Sequence, residues 1–117
     1  MNLSDLTQQA LSIQKKFDDF NVKNGRKPWG LADLTMGFVG DTGDLCKLIM
    51  AKAGIRDIRD ADEKLSHELA DCFWSILVIS HACGIDLETA FQQTMTEIEE
   101  KLKSSESSSI PPLTQTA

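Results

Sequence analysis

The sequence predicts an all-α fold of four helices packed as a bundle. Apolar residues recur at three- and four-residue spacing along most of the chain, glycines interrupt that rhythm near 25, 54 and 84, and no strand pattern is evident. Leu6, Ala10, Ile13, Phe17 and Phe20 mark a first helix over 4–24, capped by Ser4 and stopped by Asn24-Gly25. Gly25 to Gly30, with Pro28 and Trp29, form a connection. A second helix over 31–53 carries Leu31, Leu34, Phe38, Leu45 and Ile49 and ends near Gly54. The third, over 60–83, takes Leu65, Leu69, Cys72, Ile76, Ile79 and Cys83 as its core stripe and stops at Gly84. Asp86 then caps a fourth over 86–103, with Leu87, Phe91, Thr94 or Met95, Ile98 and Leu102 facing inward. Residues 104–117, rich in serine and holding Pro111-Pro112, read as a disordered tail behind a helical domain spanning 1–103.

Length and charge narrow the function. With 117 residues, 41% of them hydrophobic, the chain can bury one core, and its net charge of −6 argues against nucleic acid or an anionic membrane as partner. Cys46, Cys72 and Cys83 are odd in number and lie in apolar helical stretches, and no basic stretch with an apolar signal core follows Met1. A reducing cytoplasm is the simplest compartment. The run from Leu69 to Ile85 is broken by Asp71 and His81 and is short for a membrane span, so it reads as a buried helix. Trp74 and Leu77 point away from its main stripe, leaving it apolar nearly all round. That predicts a second subunit as cover, in a dimer or a dimer of dimers.

Two acidic pairs carry the chemistry. Asp41-Thr42-Gly43-Asp44 and Glu68-Leu69-Ala70-Asp71 each set two carboxylates one helical turn apart. Their midpoints are equidistant from the Gly54 to Asp60 turn, so an antiparallel hairpin brings both pairs level. At about 100° per residue, each pair flanks an apolar seam rather than the solvent face. Crowded, partly desolvated carboxylates take up protons or gather cations. All-oxygen ligation with no Cys or His nearby favours Mg²⁺, with Mn²⁺ as substitute, over zinc. His67 and His81 stand apart from the acids on the wheel. Gly37, Gly40 and Gly43 each cost about 1 kcal/mol relative to Ala within the second helix, and close approach of another backbone explains them better than a phosphate loop.

The stretch Gly40-Asp41-Thr42-Gly43-Asp44-Leu45, followed by Glu68-Leu69-Ala70-Asp71, resembles the E-x-x-E then E-x-x-D signature of the MazG-like all-α nucleoside triphosphate pyrophosphatases. His67 ahead of Glu68, Cys83-Gly84-Ile85-Asp86-Leu87 and Lys27-Pro28-Trp29 extend the likeness across residues 5–102. The resemblance implies a MazG-type fold in which Asp41, Asp44, Glu68 and Asp71 hold Mg²⁺ and carry catalysis. Water then cleaves the α–β phosphoanhydride of a nucleoside triphosphate, leaving a nucleoside monophosphate and pyrophosphate. Two departures stand out. Both acids of the first pair are Asp where the family usually has Glu, and Gln93-Thr94-Met95-Thr96-Glu97-Ile98 replaces the usual Lys and Asn of the last helix. Lys64 and Lys52 are candidates for reaching phosphates, with Arg56 and Arg59 behind them, and Trp29 for stacking on a base. The alternatives are a regulator that binds nucleotide or metal without turnover, and a plain helical interaction module.

Overall fold

Asn2, rather than Ser4, caps the first helix. Asp5 N–H donates to Asn2 Oδ1 at 2.9 Å while Asn2 N–H donates to Asp5 Oδ2 at 3.1 Å, closing a reciprocal capping box. The computed structural model describes residues 1–108, with side chains through 106, and is all-α. The helices are α1 (Leu3–Lys23), α2 (Leu31–Lys52), α3 (Ala61–Ala82) and α4 (Leu87–Ser108), with no strand among the described residues. None of these helices is by itself long and apolar enough to cross a membrane.

The chain divides into two compact units. The first is Met1–Gly84, and the second begins at Ile85 with α4 as its described part. Asp86 caps α4 as predicted, accepting from Thr89 N–H at 3.2 Å and from Thr89 Oγ1 at 3.0 Å. Those bonds hold its carboxyl below the ordinary value of 3.8. The helix then runs on to Ser108, past the expected end at 103, because no glycine or proline intervenes before Pro111. Residues 104–108 are thus helical rather than tail, and the remainder of the predicted tail lies outside the described residues. The predicted inner stripe of α4 is not a buried one, since Phe91, Met95 and Leu102 are all exposed.

In the first unit α2 and α3 form the antiparallel hairpin, and α1 packs on α3. Gly54 makes the reversal possible. At φ +78 it sits where L side chains are strained, and Ile55 N–H reaches back to Met50 O at 2.9 Å to close the end of α2. Asp60 re-enters from a left-handed conformation at φ 55, one of the residue types that tolerates it.

The buried face of α3 is rotated from the predicted one. Glu68, Cys72, Ser75, Leu77 and Val78 are buried, whereas Leu69, Ile76 and Cys83 of the expected stripe are exposed. Because α3 is apolar nearly all round, periodicity left the inward face open. The face that packs carries the smaller side chains Cys72, Ser75 and Val78. Trp74 and Leu77 also need no second subunit: Leu77 is buried and Trp74 Nε1 donates to Ala10 O of α1 at 3.1 Å. In α2 the buried positions are Leu34 and Leu48, with Leu31 and Ile49 exposed. The glycine expectation also changes. A Cβ at Gly37, Gly40 or Gly43 would meet nothing within 4 Å, so no other backbone among the described residues approaches them.

Candidate functional site

The hairpin brings acids from both of its helices together. Asp41 and Asp44 on α2 and Glu68 on α3 each offer a carboxylate oxygen, all three within 4.8 Å of one another. Their environments differ. Glu68 is buried, Asp41 half-buried, and Asp44 exposed, although the sequence placed both acids of that pair half inside.

Burial is the main reason that both Asp41 and Glu68 hold protons above their ordinary values. At Asp41 the charges of Asp71 and Asp44 add to it, and His67 partly offsets them. At Glu68 the neighbours Asp41, Asp71 and Asp44 push the same way, as does a hydrogen bond with Asp71. All four predicted acids therefore act on one another, as the matched spacing implied. A cation lying among them would replace mutual repulsion with attraction.

Asp71 stands outside the three-oxygen set, for a reason that the wheel reading missed. His67 Nε2 lies 3.2 Å from Asp71 Oδ2, so His67 belongs to the cluster it was expected to stand apart from. The signal was present in the sequence, because residues four apart on a helix are neighbours. Cys72 is close enough for Asp41, Glu68 and Asp71 to raise its thiol pKa, after burial, the larger cause. Both causes favour the protonated thiol over the thiolate. The premise of no Cys or His nearby is thus corrected, while the converging set remains all oxygen. His81 is exposed.

Beside the acids lies a groove of about 650 Å³, within the range of small-molecule sites. Asp33, Asp41, Asp71 and His67 line it together with the aromatic side chains Phe17, Trp29, Phe73 and Trp74. Phe17 stacks obliquely on Trp29 with centroids 5.0 Å apart and meets Trp74 edge-on at 5.9 Å. Trp29 is positioned through its backbone, whose N–H donates to Asp18 Oδ1 at 3.1 Å. Trp29 thus joins the acid neighbourhood; the candidate lysines do not line the groove. Lys52 Nζ is paired with Asp62 Oδ1 at 2.9 Å, clamping the hairpin ends, and Lys64 is exposed. Arg56 and Arg59 are exposed in the connection. The groove is lined by no lysine or arginine among the described residues. Phe17 and Trp74 were overlooked as site residues because their spacing reads equally well as core.

No protein-family model, curated protein or solved structure matches this chain.

Proposed function

We propose that the chain is a cytoplasmic, Mg²⁺-dependent nucleoside triphosphate pyrophosphohydrolase of the MazG-like type. The observation that carries this reading is the convergence of three carboxylates from two helices, one of which, Asp41, also lines an aromatic groove. Hard carboxylate oxygens suit Mg²⁺ or Mn²⁺, and the proton affinity of Asp41 and Glu68 marks uncompensated negative charge that such an ion would satisfy. Bound there, the ion would neutralise phosphate charge and lower the pKa of a water.

The chain's own residues divide the remaining work. Asp41, Asp44 and Glu68 bind. Asp71, outside that set and facing His67, is the acid available to accept a proton from the attacking water. The Phe17, Trp29 and Trp74 rings offer a flat apolar wall for a base and exclude water from its faces. With no lysine or arginine lining the groove, a triphosphate would depend on the metal for charge compensation.

That same lack favours the second reading, a binder without turnover, as do the short Asp side chains of the first pair. A panel of ribo- and deoxyribonucleoside triphosphates assayed for pyrophosphate with Mg²⁺ or Mn²⁺ separates them. Metal-dependent pyrophosphate from any member supports the enzyme. Nucleotide binding with no pyrophosphate from all members transfers the site to the regulator.

A further inference from the structure

One charged residue of the groove has no part in the acid centre. Asp33, Gly37 and Asp41 follow one another at i, i+4 and i+8 along α2, and all three line the groove. Asp33 therefore lies about 12 Å from Asp41 along the helix, at a rise of about 1.5 Å per residue. It is outside the three-oxygen set. Its Oδ2 accepts from Gly30 N–H at 3.0 Å, which fixes the carboxylate, and it has no ion pair among the described residues. Asp71, by contrast, is met by His67.

The helix between the two acids is bare. A Cβ at Gly37 would meet nothing within 4 Å, so the groove has room there for a flat ring lying on the backbone. Any mid-helix glycine costs stability, and clearance for a ligand accounts for this one. Ser75 of α3 lines the same groove although it is only 2% exposed, and its hydroxyl has no partner among the described residues. Such a hydroxyl marks a place for a ligand's polar atom. The aromatic faces are already fixed, Trp29 through its N–H to Asp18 Oδ1 and Trp74 through Nε1 to Ala10 O.

The charge of the lining then selects among bases. With Mg²⁺ over Asp41, Asp44 and Glu68, and His67 facing Asp71, Asp33 is the carboxylate of the groove left uncompensated. A neutral base stacked on the aromatic wall would strip water from that carboxylate and return no charge. A base with a fixed positive charge returns it, and gains again from the ring faces, which attract cations. Nucleobases are uncharged at neutral pH, and alkylation of a ring nitrogen makes one a cation.

Resting on the nucleotide reading above, we propose that the groove selects nucleoside triphosphates whose base is a cation through ring-nitrogen alkylation. The base lies over Gly37 with its charge facing Asp33, and Ser75 bonds one of its polar atoms.

Trp29 and Trp74 are the two tryptophans of the chain, so quenching of their fluorescence at mixing reads binding before turnover. The full chain with Mg²⁺ is titrated with 7-methyl-GTP, with GTP, and with 7-methyl-7-deaza-GTP, which keeps the methyl group and lacks the charge. Slightly acidic buffer keeps the methylated guanine a cation. It should bind about tenfold more tightly than either neutral probe. Asp33→Asn, which keeps an acceptor for Gly30 N–H, should bring the three affinities together and leave the Mg²⁺-induced rise in melting temperature as in the parent. Gly37→Leu should melt no lower than the parent and bind none of the three. Equal affinities in the parent overturn this inference and leave the hydrolase standing, whereas preference for the cation without pyrophosphate release keeps the inference and removes the hydrolase. A folded Asp33→Asn that keeps the preference also overturns it, as does a Gly37→Leu that still binds, or tetramethylammonium competing as well as 7-methyl-GTP. Should Asp33→Asn unfold, the charged and neutral methyl probes decide alone.

Discussion

Glu68 and Asp41 set the pH behaviour of the protein. Both carboxyls are raised in the fold above their ordinary values of 4.5 and 3.8, mainly by burial and then by neighbouring acids. A raised acid contributes stability that is full below its unfolded pKa and lost as pH rises through its folded one. Without divalent metal, the melting temperature should therefore rise as pH falls from neutral toward the ordinary carboxylate range. Asp86 works in the opposite sense, but its contribution is lost only below 3.8. Saturating Mg²⁺ should flatten the rise, since the ion takes over the role of the protons; melts across that pH window, with metal and with chelator, check both. At this scale the four acids were legible because their i, i+3 spacing is local geometry. The His67 to Asp71 proximity was just as local, yet the wheel sorted residues by face and hid an i, i+4 neighbour.

The α2–α3 hairpin was legible because a glycine at the right distance from both acid pairs leaves few other ways to level them. Gly54→Ala should destabilise the protein by about 1 kcal/mol, read as a lower melting temperature, since φ +78 is strained for any L side chain. The face of α3 was not legible. With Leu69, Phe73, Trp74, Ile76, Leu77 and Val78 all apolar, the sequence allows several inward faces, and shape matching against α1 and α2 decides. The aromatic groove emerges only from that choice, which brings Trp74 of α3 to Phe17 of α1. Trp29→Ala should weaken nucleotide affinity by about tenfold or more, given roughly 1–3 kcal/mol for stacking a base on an aromatic ring. Its metal-induced rise in melting temperature should match the parent's, because Trp29 is not among the acids. Calorimetric titrations with nucleotide, set beside melts with Mg²⁺ alone, check the pair.

Across the whole molecule, four acids drawn together in a chain of net charge −6 create a local excess that divalent cations should relieve. Mg²⁺ or Mn²⁺ at millimolar concentration should raise the melting temperature through binding to the native state, and Asp71→Asn should shrink the rise. An excess of apolar helix surface was legible, but which faces would carry it was not. Trp74 is tied to α1 through Ala10 O, while Leu69, Phe73 and Ile76 of α3 and Met36 and Val39 of α2 stay exposed. The central claim is that carboxylates converging from two helices serve phosphoanhydride cleavage. Pyrophosphate release from the nucleoside triphosphate panel, by the parent and by Glu68→Gln, with Mg²⁺ and with chelator, tests it most directly. The account expects release by the parent with Mg²⁺, little with chelator, and loss of most of it in Glu68→Gln, which keeps the shape of the side chain and removes its charge. Release that survives chelation or the amide substitution would contradict the acid centre, and no release from any nucleotide would contradict the hydrolase.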